Sequence, residues 1–166
     1  MKIVRRIILL TLSAATAAMI FLFSAQSKVD SHALSKRVAN AISTQLAKVE
    51  VLHPGSEVRA SKPLFEERIR KIAHVCEYAV FGFLLHFTYA GFHKKRPCRW
   101  ALATGALFAI TDELHQLLTL TRDALVWDVA IDALGVALGV GLAAGILWIT
   151  RIMRQYRPKK RTLTAD

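Results

Sequence analysis

Four long apolar runs alternate with basic or mixed-charge connectors along this 166-residue chain. They cover about 7–23, 72–92, 100–120 and 125–149. Each approaches the ~20 residues that an α-helix needs to cross ~30 Å of hydrocarbon. The pattern predicts an all-α polytopic membrane protein with four transmembrane helices, forming one unit over 1–166. The long connector before the second run has its own periodicity. Leu34, Val38, Ala41, Ile42, Gln45, Leu46 and Val49 recur at helical spacing, with Lys36, Arg37, Asn40, Ser43 and Lys48 filling the other face. An amphipathic helix at about 31–50 is expected there, opened by Asp30 or Ser31 and ended by His53-Pro54-Gly55, lying on the outer leaflet or against the bundle.

Composition agrees with apolar spans joined by cationic links: the chain is 54% hydrophobic yet carries 23 Lys and Arg against 12 Asp and Glu, a formal net charge of +11. Its mean hydropathy is +0.35. Such a charge elsewhere suggests nucleic acid, but here the cations sit at span ends and tails, where topology and anionic lipid account for them. No nucleic-acid partner is implied. The first run follows a basic segment, Met1 to Arg6, as a signal peptide would. Ile7 to Phe23 nevertheless exceeds the usual apolar region of about 7–15 residues, and cleavage after Ala25 would place bulky Phe23 where a small residue is wanted. It reads as a retained anchor. Lys2, Arg5 and Arg6, then Lys94, Lys95, Arg96 and Arg99, then Arg151 to Arg161 fall on one side of a four-span chain, which makes that side the cytoplasm and both termini cytoplasmic. The cluster Arg68, Arg70 and Lys71 falls outside and is not explained by topology. Cys76 in the second span and Cys98 in the inner connector are too far apart for a disulfide, and no metal-type cysteine spacing is present.

Three spans contain carboxylates: Glu77 in the second, Asp112 and Glu113 in the third, Asp128 and Asp132 in the fourth. A charge at the centre of a lone membrane helix costs about 2.5–3.5 kcal/mol on insertion scales, so these positions need a partner or a purpose. Helical rise places them at similar depth. Counting from Lys71, His74 lies ~5 Å and Glu77 ~9 Å below the outer boundary. With Trp100 at the inner interface, Asp112 and His115 lie roughly 12 and 8 Å below the outer one. Trp127 and Trp148, about 31 Å apart, mark both boundaries of the fourth span and set Asp132 about 7 Å deep, with Asp128 at the edge. His74, Glu77 and Tyr78 share a face, as do Asp112, His115 and Gln116. Asp128 and Asp132 share a face with Gly135 and Gly139, a packing stripe, and Gly141-xxx-Gly145 repeats that spacing. Arg122 sits in the turn above the layer. The bland alternative is a set of ion pairs and hydrogen bonds that hold the helices in register. Interhelical polar contacts give only about 0.6 kcal/mol on average, little return for five acids. His86 reads as a packed or lumen-facing histidine rather than a ligand.

The strings FSAQSKVDSHALS, RKIAHVCEYAVFGFLL, ITDELHQ and RDALVWDVAIDALGVALG resemble the VanZ-like family of small bacterial membrane proteins, over most of residues 21–140. By position, the family-type polar residues are Ser24, Gln26, Lys71, His74, Glu77, Tyr78, Asp112, Glu113, His115, Gln116, Arg122, Asp128, Asp132 and Gly135. The family often has Pro-Gly before the Arg of the last turn, where this chain has Leu120-Thr121. The resemblance implies a multi-pass protein of the bacterial plasma membrane with a cell-envelope role, in resistance to glycopeptides such as teicoplanin. It implies no particular chemistry.

Two mechanisms follow from the residues. In the first, the protein binds a membrane lipid or lipid-linked envelope precursor from outside. Lys71, Arg122, Arg68 and Arg70 hold phosphate, while Glu77, Asp112, Asp132 and His115 accept hydroxyl, amine or cation. In the second, it is an enzyme on such lipids. His74 or His115 acts as general base, oriented by Glu77 or Asp112, or Asp112, His115, Asp128 and Asp132 coordinate a metal. No activated Ser or Cys nucleophile stands out, and no cofactor is implied. Ion conduction fits less well, because below the acids the spans are almost entirely apolar, with His86 and Thr104 as the polar interruptions considered.

Overall fold

Each apolar run folds as an α-helix, and the computed structural model describes residues 2–24, 62–92, 95–118 and 126–156. We number the helices α1 (Lys2–Ser24), α2 (Lys62–Phe92), α3 (Pro97–Leu118) and α4 (Val126–Gln155). No strand occurs among the described residues. Among the described residues, three stretches are long and apolar enough to cross a membrane: Ile3–Ser24, Arg68–Phe92 and Trp127–Gln155. α3 is 22 residues long, but Asp112, Glu113, His115 and Gln116 crowd its last turns and dilute its apolar character. The amphipathic segment expected at 31–50 lies outside the described residues, as do Gln26 and Arg122.

The helices overrun the apolar runs that predict them. α1 begins at Lys2 and α4 continues through Arg151 and Arg154, since long basic side chains can keep their charge in the interface while the backbone stays helical. Just before α3 the chain makes a tight turn. Arg96 takes a φ of 57°, the Arg99 amide donates to its carbonyl at 3.1 Å, and Pro97 opens α3, where its missing N–H goes unneeded. Cys98 therefore lies in the first turn of α3 rather than in a connector, and both cysteines are free thiols.

Successive helices run in opposite directions. The start of α1 meets the end of α2, with the Arg6 guanidinium 5.3 Å from the Phe92 ring centre. The end of α1 meets the end of α3 through Ser24 and Gln116. α2 and α4 form the most extensive pair, and glycine makes their contact possible. A Cβ on Gly139 would land on the Ala79 carbonyl, and one on Gly82 on the Val136 carbonyl. At Gly135 it would come 2.7 Å from the Val75 carbonyl oxygen. Small residues let backbones approach closely where lipid supplies no hydrophobic drive. Gly141 and Gly145 behave differently from their expected role: nothing lies within 4 Å of a Cβ built on either, so that repeat faces outward.

Ile20, Tyr78, Phe81, Leu85, Ala101, Ala109, Val136 and Val140 form the core. The outside is apolar as well. Leu22, Leu107, Leu142 and Trp148 are each more than 60% exposed, a surface suited to acyl chains and hazardous in water. Thr11 and Thr16 on the exposed side of α1 return their hydroxyls to the Ile7 and Leu12 carbonyls at 2.9 and 2.8 Å, so they present no unpaired donor.

Candidate functional site

The antiparallel order brings the ends of α1 and α3 beside the early turns of the α2 and α4 spans. The polar residues of all four helices consequently meet at one end of the bundle. Asp112 is wholly buried there. Its Oδ2 accepts hydrogen bonds from the Tyr78 hydroxyl at 3.1 Å and from Gln116 Nε2 at 3.2 Å. Gln116 Nε2 also donates to the Ser24 hydroxyl, so an amide with two hydrogens serves two acceptors. Tyr78, Asp112, Gln116 and Ser24 thereby link α2, α3 and α1, all of them buried. The fourth helix joins through His74, whose Nδ1 lies 3.7 Å from Asp132 Oδ1. Asp132 is 3% exposed, on the face of α4 that Gly135 and Gly139 press against α2.

Asp112 uses one oxygen only. Its Oδ1 is buried with no hydrogen-bond partner among the described residues. Leaving a buried acceptor unsatisfied costs about 1–3 kcal/mol, and orphaned groups of this kind call for an explanation. Glu113 and Gln116 are buried beside it, and Glu77 is half-buried one turn from His74. Lys71 is half-buried, Arg70 likewise, and Arg68 is exposed, at the same end of α2.

One expected residue turns to a different neighbour. His115 stacks on Phe21 of α1, ring centres 4.2 Å apart and planes at 28°, although its spacing puts it on the Asp112 face. Asp128 is half-buried in the first turn of α4, where a carboxylate also complements the helix dipole. The metal arrangement weighed for Asp112, His115, Asp128 and Asp132 does not form: among the described residues, no three His, Cys, Asp or Glu side chains lie close enough to hold an ion. The stack on Phe21 occupies one face of the His115 ring.

The other half of the bundle is less apolar than its sequence suggests. The Ser13 and Thr88 hydroxyls pair at 3.0 Å, and those of Tyr89 and Thr104 at 2.7 Å. His86 is packed, as expected, but has a polar neighbour: its Nδ1 is 3.7 Å from the Cys98 sulfur. Hydroxyls inside apolar runs are the signal for these pairs, and only knowledge of which faces meet can match them.

No curated protein and no solved structure shows a significant match to the chain. The sequence model of one family does match, from residue 8 to residue 150, which is most of the chain. With long apolar helices that gather family-type polar residues at one end, this protein belongs to the VanZ/LLP1 family.

Proposed function

We propose that this protein crosses the bacterial plasma membrane four times, with both termini cytoplasmic, and binds the headgroup of an envelope lipid or lipid-linked precursor from the outer face. On this reading it contributes to resistance against glycopeptides such as teicoplanin. α3 is the fourth crossing, its 22 residues giving about 33 Å at 1.5 Å per residue, enough for ~30 Å of hydrocarbon. The positive-inside distribution sets the orientation and turns the carboxylate layer outward.

The observation that carries the reading is the free oxygen of Asp112. A carboxylate held on one side by Tyr78 and Gln116, with its other oxygen buried and unpaired among the described residues, is an acceptor prepared for a hydroxyl or ammonium donor. His74 and Asp132 stand on the opposite helices of the same layer. Lys71, with Arg68 and Arg70 at the same end of α2, supplies cations for phosphate at the mouth, and Arg122 is the further cation that the sequence offers.

The His74–Asp132 contact also favours a second reading, an acid/base enzyme acting on the same class of lipid, with His74 as proton carrier and Asp132 orienting it. One experiment separates these outcomes: mass-spectrometric identification of the lipid and metal that co-purify with the native protein and with Glu77→Gln and Asp132→Asn. Binding predicts retained phospholipid or isoprenoid-phosphate, lost in both variants at unchanged membrane abundance, together with loss of the resistance phenotype. Variants that vanish from the membrane would reduce the layer to a structural clasp. Product accumulation from the retained lipid, abolished by His74→Gln, would favour the enzyme.

A further inference from the structure

The carboxylate layer occupies one end of the bundle, and a second feature occupies the other. α1 and α3 flank α2 and barely touch each other. Ser24–Gln116 and Phe21–His115 hold their outer ends together. Away from that clasp they leave a cavity of about 320 Å³, walled by α1 and α3 and floored by α2. Leu10, Ala14 and Ala17 line one side, and Phe81, Leu85 and Phe92 the floor. Leu10, Ala14 and Phe92 are exposed, so the groove opens on the surface that lipid covers.

The polar atoms of the groove are already engaged. Ser13 pairs with Thr88, and Tyr89 with Thr104, which leaves the lining apolar in effect. Among the described residues, charge at the groove gathers at one end. Arg6 lies one turn before Leu10 on the same face of α1, with its guanidinium against Phe92. Lys95, Arg96 and Arg99 are exposed at that end of the bundle. From Leu10 to Ala17 the groove runs about 10 Å along the helix axis.

We infer that this groove holds one acyl chain of an anionic phospholipid, with the phosphate at Arg6. The chain itself confers no selectivity, because bulk lipid is equally apolar. Selectivity comes from the headgroup, at about fivefold for one basic residue near the surface. Self-paired hydroxyls and cations confined to one end match a lipid, whose only charge is at its head. The inference rests on the membrane reading above and not on the carboxylate layer. Asp132→Asn would empty the outer site and leave groove occupancy unchanged.

The test uses the full chain in phosphatidylcholine bilayers doped with phosphatidylglycerol that carries a photoactivatable group on its acyl chain, with labelled peptides mapped by mass spectrometry. Labelling should concentrate on residues 10–17 and 88–92, about fivefold above that from a phosphatidylcholine probe of the same design. Arg6→Gln should bring the two probes level. Ala14→Phe, which fills the groove from an exposed position, should remove groove labelling by both probes while leaving the lipid-facing peptides around Leu142 and Trp148 labelled as before. Equal labelling by both probes in the unaltered protein would overturn the inference. So would groove labelling that survives Ala14→Phe, or groove peptides recovered cross-linked to a second copy of the chain.

Discussion

Asp112 allows the binding and clasp roles to be separated within one side chain. Asparagine keeps an oxygen where Oδ2 accepts from Tyr78 and Gln116, and replaces the unpaired Oδ1 with an amide donor. Alanine removes both. Interhelical hydrogen bonds average about 0.6 kcal/mol in membrane proteins, and stranding the Tyr78 hydroxyl and a Gln116 hydrogen adds some of the ~1–3 kcal/mol that an unsatisfied buried group costs. Asp112→Ala should therefore lose about 2–4 kcal/mol of stability, and Asp112→Asn less than about 1 kcal/mol. A donor bound at Oδ1 loses a charge-assisted hydrogen bond of about 1.5–3 kcal/mol, equivalent to roughly 10- to 150-fold weaker binding in either variant. Thermal unfolding in detergent gives the first quantity, and titration with the co-purified lipid gives the second. The reasoning fails if Asp112→Asn melts like Asp112→Ala, or if it binds lipid as tightly as the unaltered protein.

The glycine seam and the topology supply two further checks. Gly139→Ala places a Cβ on the Ala79 carbonyl and within 2.8 Å of the Phe83 nitrogen, and should lower stability by about 1–3 kcal/mol as overpacking does; Gly145→Ala, with nothing within 4 Å, should leave the unfolding midpoint in place. Fluorescent-protein and alkaline-phosphatase fusions at the carboxyl end should report cytoplasm, as should fusions at the amino end; ends on opposite sides would mean that α3 does not cross.

The helices were legible because lipid demands continuous apolar runs, and α1, α2 and α4 have them. α3 was legible in part, since the polar residues that make it interesting are those that weaken its membrane signal. Apolar runs mark spans rather than helix ends, and the helices continue through Lys or Arg beyond them, as at Lys2 and Arg154. Periodicity puts Asp112 and Gln116 on one face and Tyr78 on the face of His74 and Glu77, and depth puts Glu77, Asp112 and Asp132 in one layer. Neither predicts which side chain meets which. The bond from Gln116 to Ser24 depends on where α1 lies against α3. That same placement turns His115, expected beside Asp112, onto Phe21. The second small-residue repeat looked equivalent to the first, yet only Gly135 and Gly139 lie where α2 crosses.

Where main chain rests on main chain at Gly82, Gly135 and Gly139, α2 and α4 have no soft layer between them in which to slide. They behave as a spine. Any adjustment to a guest falls instead to α1 and α3, which grip that spine through side chains and can re-form their bonds after a small tilt. Among the described residues, the contact with least room to give thus leaves accommodation to the two flanking helices.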